Sequence, residues 1–248
     1  MSVLVLGGTR EGRELASLLH AADVPVVTSL AGDVTQVRRP EGDVRIGGFG
    51  GAEGLADYLR SHAVAAAVDA THPFAAQISA NAAAACTAVG VPLLRLSRPS
   101  WAQRSDAGSW HWVDSLQQAG TVAAQLGDRV MLATGRQSAA GFAGCSARYV
   151  VLRVVDPPEG PLPPGWTVLR ARGPFAFDDE VQLLRGHAIE VLVTKDSGGP
   201  TSAKLDAAAH LGVAVVVVRR PAPPAGVDCV STVTDAAAWV TAHSESGG

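Results

Sequence analysis

Cysteine is scarce in this sequence, and the positions of the three cysteines exclude the common forms of cysteine chemistry. Cys86, Cys145 and Cys229 lie far apart among the 248 residues. Zinc sites and redox motifs place cysteines only a few residues apart, so this spacing fits neither. The histidines form no ligand-spaced cluster either. We therefore expect no metal site and three free thiols in a reducing compartment.

Long hydrophobic runs and clusters of basic residues are absent as well. No apolar run reaches the roughly 18 residues that a membrane helix needs. The formal net charge is −3, from 20 Lys and Arg against 23 Asp and Glu, so bulk attraction to nucleic acid or to an anionic membrane is excluded. The chain enters an apolar run at Val3 without a basic leader. We therefore expect a soluble, cytoplasmic protein.

Apolar, β-branched segments alternate with helix-length segments along the whole chain. The composition is 47% hydrophobic and 17% charged, which is typical of a globular protein. Strands separated by helical crossovers predict parallel sheets, and the fold class that we expect is α/β, with two Rossmann-like domains, mainly parallel sheets and a ligand cleft between them. The predicted strands are 3–6, 25–30, 44–47, 64–70, 92–97, 129–133, 149–155, 167–171, 190–194 and 213–218.

The chain contains an internal repeat. Residues 58–99 and 183–221 share one order of features: a helix end with His, an apolar strand, a polar strand end, an Ala-rich helix, a Gly, a second apolar strand and an Arg-Pro pair. The spacing from the Gly to the Arg is eight residues in both copies. Such matched spacing predicts two α/β halves of one design.

The repeat divides the chain into three parts. We expect 1–100 to form an N-terminal half and 128–248 to form the C-terminal half. Between them, 101–127 is a bridging segment that can pack with either half. The bridging and C-terminal strands can also exchange between the halves, and the sequence leaves this open.

A glycine-rich turn follows the first predicted strand. Glycines at the carboxyl end of a strand let backbone N–H groups approach a phosphate, and the next helix adds positive charge at its N-terminus. A threonine hydroxyl and two guanidinium groups complete the turn. The order G-G-x-x-x-G is displaced by one residue from the dinucleotide fingerprint, so a simple tight turn is the alternative. The candidate cofactor-binding residues here are Gly7, Gly8, Thr9, Arg10 and Arg13.

The end of the second predicted strand lacks the acidic residue that NAD sites use. Such a carboxylate binds the ribose 2′-hydroxyl of NAD and repels the 2′-phosphate of NADP. Residues 26–32 read Val-Val-Thr-Ser-Leu-Ala-Gly, with no acid. Ser29 can donate to a 2′-phosphate, and Arg10 or Arg13 can balance its charge. The sequence therefore predicts NADPH as the cofactor.

Polar residues end the fourth predicted strand, where open α/β sheets place ligands. Thr71 is a further candidate for cofactor binding, and His72 is a candidate proton donor. The alternative for Asp69 and Thr71 is hydrogen bonding at the strand end and capping of the next helix.

The corresponding loop of the second repeat, 194–199, contains a Lys, an Asp, a Ser and two glycines, and suits an anion or a solvated turn. Single cations near other strand ends favour a substrate with several carboxylates, although surface ion pairs explain some of them. The candidate substrate-binding residues are Arg98, Gly135, Arg136, Arg172, Lys195, Ser197, Gly198 and Lys204.

Six motifs, spread in order over about residues 3–221, together resemble the precorrin-6A reductase family. They are Leu6–Arg13, Gly47–Gly51, Asp69–Ala75, Arg98–Trp101, Arg172–Phe175 and Thr194–Gly199 with Lys204. The resemblance implies an NADPH-dependent reductase of cobalamin biosynthesis that reduces one ring double bond of precorrin-6A to give precorrin-6B. It also implies two Rossmann-like domains with the macrocycle between them. A sub-branch of the family can use NADH or a cobalt-containing substrate.

Hydride transfer to a conjugated double bond also needs a proton on the adjacent carbon. The candidate acids are His72, Lys195 and Asp196, with water as an alternative. Two other functions stay open: a non-catalytic tetrapyrrole- or nucleotide-binding protein, and an extended short-chain dehydrogenase or epimerase. The latter normally needs Tyr-x-x-x-Lys, whereas here His62 follows Tyr58 and Arg153 follows Tyr149. Because both halves lie in one chain, we expect a monomer.

Overall fold

The chain divides into two compact units. The computed structural model describes residues 2–30, 32, 40–142, 145, 147, 149–158, 160–199 and 202–244. Unit 1 comprises Met1–Pro99 and Pro221–Gly248, and unit 2 comprises Ser100–Arg220. Among the described residues, no helix combines the length and the apolar character that crossing a membrane requires.

The described residues form twelve strands and seven α-helices. The strands are β1 (Ser2–Leu6), β2 (Val26–Leu30), β3 (Asp43–Ile46), β4 (Val64–Asp69), β5 (Leu93–Leu96), β6 (His111–Val113), β7 (Arg129–Ala133), β8 (Tyr149–Val154), β9 (Trp166–Arg170), β10 (Val191–Lys195), β11 (Ala214–Val218) and β12 (Asp228–Val230). The helices are α1 (Arg10–Ala21), α2 (Gly51–Ser61), α3 (Ala76–Val89), α4 (Leu116–Leu126), α5 (Phe177–Gly186), α6 (Ala203–Leu211) and α7 (Val233–Ser244).

Unit 1 contains a six-stranded parallel sheet in the order β12-β5-β4-β1-β2-β3. The central strand β1 is apolar at successive positions because both faces of the sheet are covered by helices. Val3 and Val5 pack in one buried cluster with Leu15 of α1. Leu4 packs in the other with Leu55 of α2. The core of unit 1 therefore lies on both sides of β1.

Unit 2 contains a second six-stranded parallel sheet, in the order β6-β11-β10-β7-β8-β9. This order matches that of unit 1 strand for strand, with β7, β8 and β9 in the places of β1, β2 and β3. Its central strands are buried along most of their length, with Leu192 of β10 and Met131 of β7 in one core cluster. The predicted fold of two Rossmann-like domains is thus confirmed.

The two short strands exchange between the halves of the sequence. β6, from the expected bridging segment, pairs with β11 in unit 2, and β12 pairs with β5 in unit 1. The expectation that 128–248 form one half is therefore wrong for 221–248. The reason lies in the connection 219–227, which joins β11 to β12 without a helix. A parallel neighbour needs a crossover of a dozen or more residues, so β12 cannot pair with β11 and completes the other sheet.

Candidate active site

Three glycines shape the turn between β1 and α1. Gly7 N–H donates to the Ser29 carbonyl at 2.9 Å, and a Cβ on Gly7 would lie 2.8 Å from Cγ2 of Thr28. Gly8 has a φ of +109° and open space where a Cβ would stand. A Cβ on Gly12 would lie 3.2 Å from that of Ala70. These glycines serve a tight turn, an open approach to the backbone and close helix–strand packing, as in dinucleotide-binding turns.

Thr9 caps helix α1 and joins it to β4. Its Oγ1 accepts from Gly12 N–H at 3.0 Å and donates to the Ala70 carbonyl at 2.7 Å. The predicted use of this hydroxyl on a cofactor therefore competes with two internal bonds. What the turn offers a phosphate is backbone, because the first N–H groups of an α-helix have no partners within it.

Arg10 and Arg13 lie on the outer surface of α1. Arg10 Nε is 2.6 Å from Glu14 Oε1, and this carboxylate raises the pKa of Arg10. Both arginines line a cavity of about 790 Å³ that follows the helix as far as Ala21. The structure thus brings the two together, but no contact among the described residues joins either one to Ser29.

Arg45, on β3, is the residue that the sequence reasoning missed beside Ser29. Its Nη1 donates to Ser29 Oγ at 3.3 Å and to the Gly47 carbonyl at 2.5 Å, and its Nη2 donates to the Gly48 carbonyl at 2.7 Å. The guanidinium also lies 3.8 Å over the ring centroid of Phe49. Its position directly before a glycine-rich loop at a strand end was the available signal. The result is a fixed guanidinium group next to Ser29, the residue predicted to donate a hydrogen bond to the 2′-phosphate.

A buried ion pair organises the end of β4. The carboxylate of Asp69 is paired with Arg95 of β5, and both side chains are almost fully buried. Asp69 Oδ1 accepts from Thr71 N–H at 3.0 Å and from its hydroxyl at 2.7 Å, and Arg95 donates to Ser79 Oγ at 2.8 Å. Thr71 therefore belongs to this network. It does not cap α3, which begins at Ala76 with Ala75 as its N-cap.

His72 lies partly buried in the turn after β4. Its Nδ1 accepts from the Phe74 N–H at 3.2 Å. A hydrogen bond accepted at Nδ1 favours the neutral imidazole, which gives up its remaining proton poorly. The geometry keeps His72 at the predicted strand end and weakens its case as the acid.

Asp196, the second aspartate of the repeat, follows β10 and is 2% exposed. Its carboxylate accepts from Trp101 N–H at 2.9 Å and from Ser100 Oγ at 2.7 Å. It also accepts two bonds from Arg220, at 2.8 and 3.1 Å. Four donors satisfy both oxygens of an ionised carboxylate. This geometry fits a structural residue better than the predicted proton donor.

Two lysines lie near the same end of unit 2. Lys195, the last residue of β10, is half-buried, and burial lowers its pKa. Lys204, in the first turn of α6, lies with Nζ 4.5 Å from the ring centroid of Trp101. The pKa of Lys204 is lowered to about 8, first by burial and then by the nearby Arg153, while Glu180 opposes this.

The other candidate substrate residues follow several strands. Ser197 and Gly198 follow β10, and the exposed Gly135 and Arg136 follow the adjacent β7. Arg172 is exposed beyond β9, at the far edge of the same sheet. Arg98 belongs to unit 1, where its Nη2 is 3.2 Å from Oε2 of Glu11, at ion-pair distance but outside hydrogen-bonding geometry. Within unit 2 the structure thus groups the β7 and β10 residues and places Arg172 at the far edge of the sheet.

Comparison with known proteins places these features in one family. The family model described as precorrin-6x reductase CbiJ/CobK matches residues 2–241. A precorrin-6A reductase of Rhodococcus erythropolis is 52% identical over 242 residues, covering 96% of both chains. A cobalt-precorrin-6A reductase of Priestia megaterium is 30% identical over 236 residues, covering 88% of this chain and 90% of its own.

A solved structure agrees over nearly the whole chain. It is named CobK precorrin-6A reductase, has 41% sequence identity and superposes with a TM-score of 0.87, covering 98% of this chain and 97% of the other. The resemblance seen in six short motifs therefore extends to the sequence and the fold at full length. The chain belongs to the precorrin-6x reductase family.

Proposed function

We propose that this chain is an NADPH-dependent reductase that reduces one ring double bond of precorrin-6A, giving precorrin-6B, in cobalamin biosynthesis. Family membership supports the reaction, and relatives from several bacteria carry the name precorrin-6A reductase. The single observation that carries the cofactor assignment is the Ser29–Arg45 pair beside the glycine turn of unit 1.

Unit 1 fits a nicotinamide dinucleotide. The open face of Gly8 leaves room for a pyrophosphate against the backbone, and the N-terminus of α1 favours its charge. The Gly7 N–H bond to the Ser29 carbonyl places this turn directly beside the Ser29–Arg45 pair. A bound nicotinamide supplies the hydride, and the residues of the turn hold and orient the nucleotide.

The preference for NADPH rests on Ser29 and Arg45. A guanidinium offers five donors, and the three bonds to Ser29 and the two glycine carbonyls leave further N–H groups for a phosphate. Because these bonds and Phe49 fix the group, little side-chain entropy is lost on binding. This replaces the predicted phosphate role of Arg10, which is paired with Glu14.

Unit 2 supplies groups for a substrate that carries several carboxylates. Lys195 and Lys204 lie near the carboxyl end of β10, and the Gly135–Arg136 turn lies at the end of the adjacent strand. Cations at the end of a parallel sheet suit such a ligand. We assign Lys195 and the Gly135–Arg136 turn to substrate carboxylates, Gly198 to a close backbone approach, and Lys204 to the same substrate as a nearby positive charge.

The reaction is tested by mixing the protein with NADPH and enzymatically prepared precorrin-6A without oxygen, while recording the nicotinamide and macrocycle absorbances together. We expect coupled loss of NADPH and a shift of the macrocycle spectrum, much slower with NADH. Binding of NADPH without oxidation would contradict the substrate assignment, and a cobalt-containing analogue would be tested next. Tight macrocycle binding without turnover would favour a non-catalytic binding protein.

The cofactor assignment is tested by Arg45→Met, with dissociation constants for NADPH and NADH measured by titration. Loss of a charge-assisted bond to phosphate costs about 1.5–3 kcal/mol, so NADPH binding should weaken about 10-fold to 100-fold while NADH binding changes little. Arg60→Met is the matched control, because Arg60 is an exposed arginine of unit 1 paired with Asp57. Equal weakening of both nucleotides by Arg45→Met would contradict the 2′-phosphate role.

A further inference from the structure

Lys204 is a partly buried cation that has no counter-ion among the described residues. It stands in the first turn of α6, where the helix dipole disfavours positive charge. Its ammonium lies over the face of Trp101, and among the described residues it has neither a hydrogen-bond acceptor nor a carboxylate within ion-pair distance. Unpaired buried charge is costly, so a lysine at this position opposes folding and calls for a functional explanation.

Trp101 places this ammonium at the ligand-binding end of the sheet. The Trp101 backbone N–H donates to Asp196 Oδ1 at 2.9 Å, and its indole N–H donates to the Gly199 carbonyl at 3.1 Å. Both acceptors belong to the loop that follows β10. Lys204 therefore lies beside the carboxyl end of a central parallel strand, where α/β sheets bind ligands.

The charged groups that face Lys204 favour loss of its proton. Arg153 of β8 and Glu180 of α5 form a buried pair with Nη1 and Oε1 2.6 Å apart. With Lys204 protonated the three groups carry a net positive charge, and without that proton they are neutral. The pKa of about 8 reflects burial first and Arg153 second. The lysine is thus charged near neutral pH and can give up its proton at modest cost.

The other candidate acids are less suited to donate. Nδ1 of His72 accepts a hydrogen bond from Phe74 N–H, which favours the neutral ring, and the carboxylate of Asp196 is bound by four donors. Lys195 is half-buried, and burial lowers its pKa as well. It is the residue against which Lys204 must be compared.

We propose that Lys204 donates the proton that completes reduction of the ring double bond, an inference that rests on the proposed function. One carbon of the double bond receives a hydride from the nicotinamide. The π electrons form a C–H bond at the adjacent carbon with a proton from Lys204 Nζ, as the N–H bond breaks. Lys204 is left as a neutral amine, which water protonates again.

The test compares Lys204→Arg with Lys204→Met under saturating NADPH and precorrin-6A. Arginine keeps the charge but does not give up a proton, so kcat should fall about 100-fold or more while the dissociation constant for precorrin-6A changes little. In Lys204→Met, kcat should fall and the dissociation constant for precorrin-6A should rise. In the wild type kcat should fall above an apparent pKa near 8, and this inflection should disappear in Lys204→Arg. Lys195→Arg should keep the inflection.

A second readout needs neither substrate nor cofactor. Trp101 fluorescence in the free protein should change with a midpoint near pH 8 as the ammonium over its ring loses its proton. Trp101→Phe identifies the signal among the five tryptophans, and Lys204→Arg should abolish the change. Fluorescence that does not change between pH 6 and 10 would overturn the proposal.

The outcomes separate this proposal from the function on which it rests. If the wild type turns over precorrin-6A and Lys204→Arg keeps its kcat and pH profile within about two-fold, the proposal alone is wrong. If the inflection in the pH profile of kcat disappears in Lys195→Arg and stays in Lys204→Arg, the proposal is also wrong and Lys195 is the proton donor. If the wild type does not turn over precorrin-6A with NADPH, the proposed function fails and this inference fails with it.

Discussion

Asp69 of unit 1 and Asp196 of unit 2 occupy corresponding strand ends and are both 2% exposed, yet they stabilise different parts of the fold. Asp69 binds Thr71, two residues further on, and Arg95 on the neighbouring strand. Asp196 binds the first two residues of unit 2, Ser100 and Trp101, and its last residue, Arg220. Asp69 therefore stabilises a turn, whereas Asp196 links the first and last residues of unit 2 by hydrogen bonds.

The two units also differ in the partners of a cation near the end of the sheet. Arg95 of unit 1 is paired with Asp69 and donates to Ser79 and to the turn after β4. Lys204 of unit 2 has no such partner among the described residues and lies over an aromatic ring. A repeat can therefore keep its architecture while one copy pairs its cation with a carboxylate and the other packs its cation against an aromatic ring.

The largest effect is expected from Asp69→Asn. Removing one partner of a fully buried ion pair leaves Arg95 uncompensated and costs about 3–5 kcal/mol. Urea unfolding followed by circular dichroism measures the change. Asp57→Asn, in an exposed pair with Arg60, is the control and should cost no more than about 1 kcal/mol. A loss below about 1 kcal/mol for Asp69→Asn would contradict the role of the pair.

Lys204→Met should raise the free energy of unfolding at pH 7, the opposite of the effect of Asp69→Asn. The folded-state pKa of Lys204, about 8, lies below the unfolded value of 10.5, so between these pH values the unfolded chain binds more protons and wild-type stability rises with pH. The full rise is about 3 kcal/mol. Lys204→Met should therefore be more stable than the wild type at pH 7, with an advantage that shrinks by pH 10. An advantage that does not depend on pH would contradict an unpaired, charged Lys204.

Asp196→Asn should cost about 2–3 kcal/mol, less than Asp69→Asn, because the Arg220 side chain keeps 19% exposure and can be hydrated. Hydrogen exchange of the Trp101 amide should accelerate in this variant, since its acceptor is weakened. Asp114→Asn removes the exposed partner of Arg219 and is the control. Unchanged exchange at Trp101 would argue against Asp196 as the residue that fastens the unit ends.

The smallest losses of stability are expected from removing the side-chain caps of two helices. Thr9→Ala removes the cap of α1 and the bond to the Ala70 carbonyl, and should cost about 1–2 kcal/mol. Ser115→Ala removes only the exposed cap of α4, where Ser115 Oγ accepts from Gln118 N–H, and should cost about 0.5–1 kcal/mol. Thermal unfolding of both variants measures the difference. Equal losses would show that the bond from Thr9 to β4 adds nothing.

The regular elements were readable from local patterns. Strands such as β10 and β11 are continuous apolar runs, and the Gly7–Gly12 turn combines a strand end with a helix cap. These signals lie within about ten residues of one another, and the repeat shows the same order of strands and helices a second time. The doubled fold and the position of the glycine turn follow from them.

What the sequence did not reveal depends on partners far apart in the chain. Ser29 and Arg45 meet only because β2 and β3 are adjacent in a given register. The carboxylate of Asp196 binds residues that precede it by 95 and 96 positions, so its motif looks like a polar active-site loop. The placement of β12 depends on which sheet edge is open. None of these contacts leaves a local pattern.

The unit boundary makes unit 2 an inserted domain. It is one continuous stretch that carries all six strands of its sheet, whereas unit 1 is assembled from two separate pieces. Ser100 Oγ and Arg220 Nε both contact the same oxygen of Asp196, so the points of entry and exit lie side by side. We therefore expect the stretch 100–220 to fold when it is expressed by itself, and a short linker from Pro99 to Pro221 to restore an unbroken unit 1.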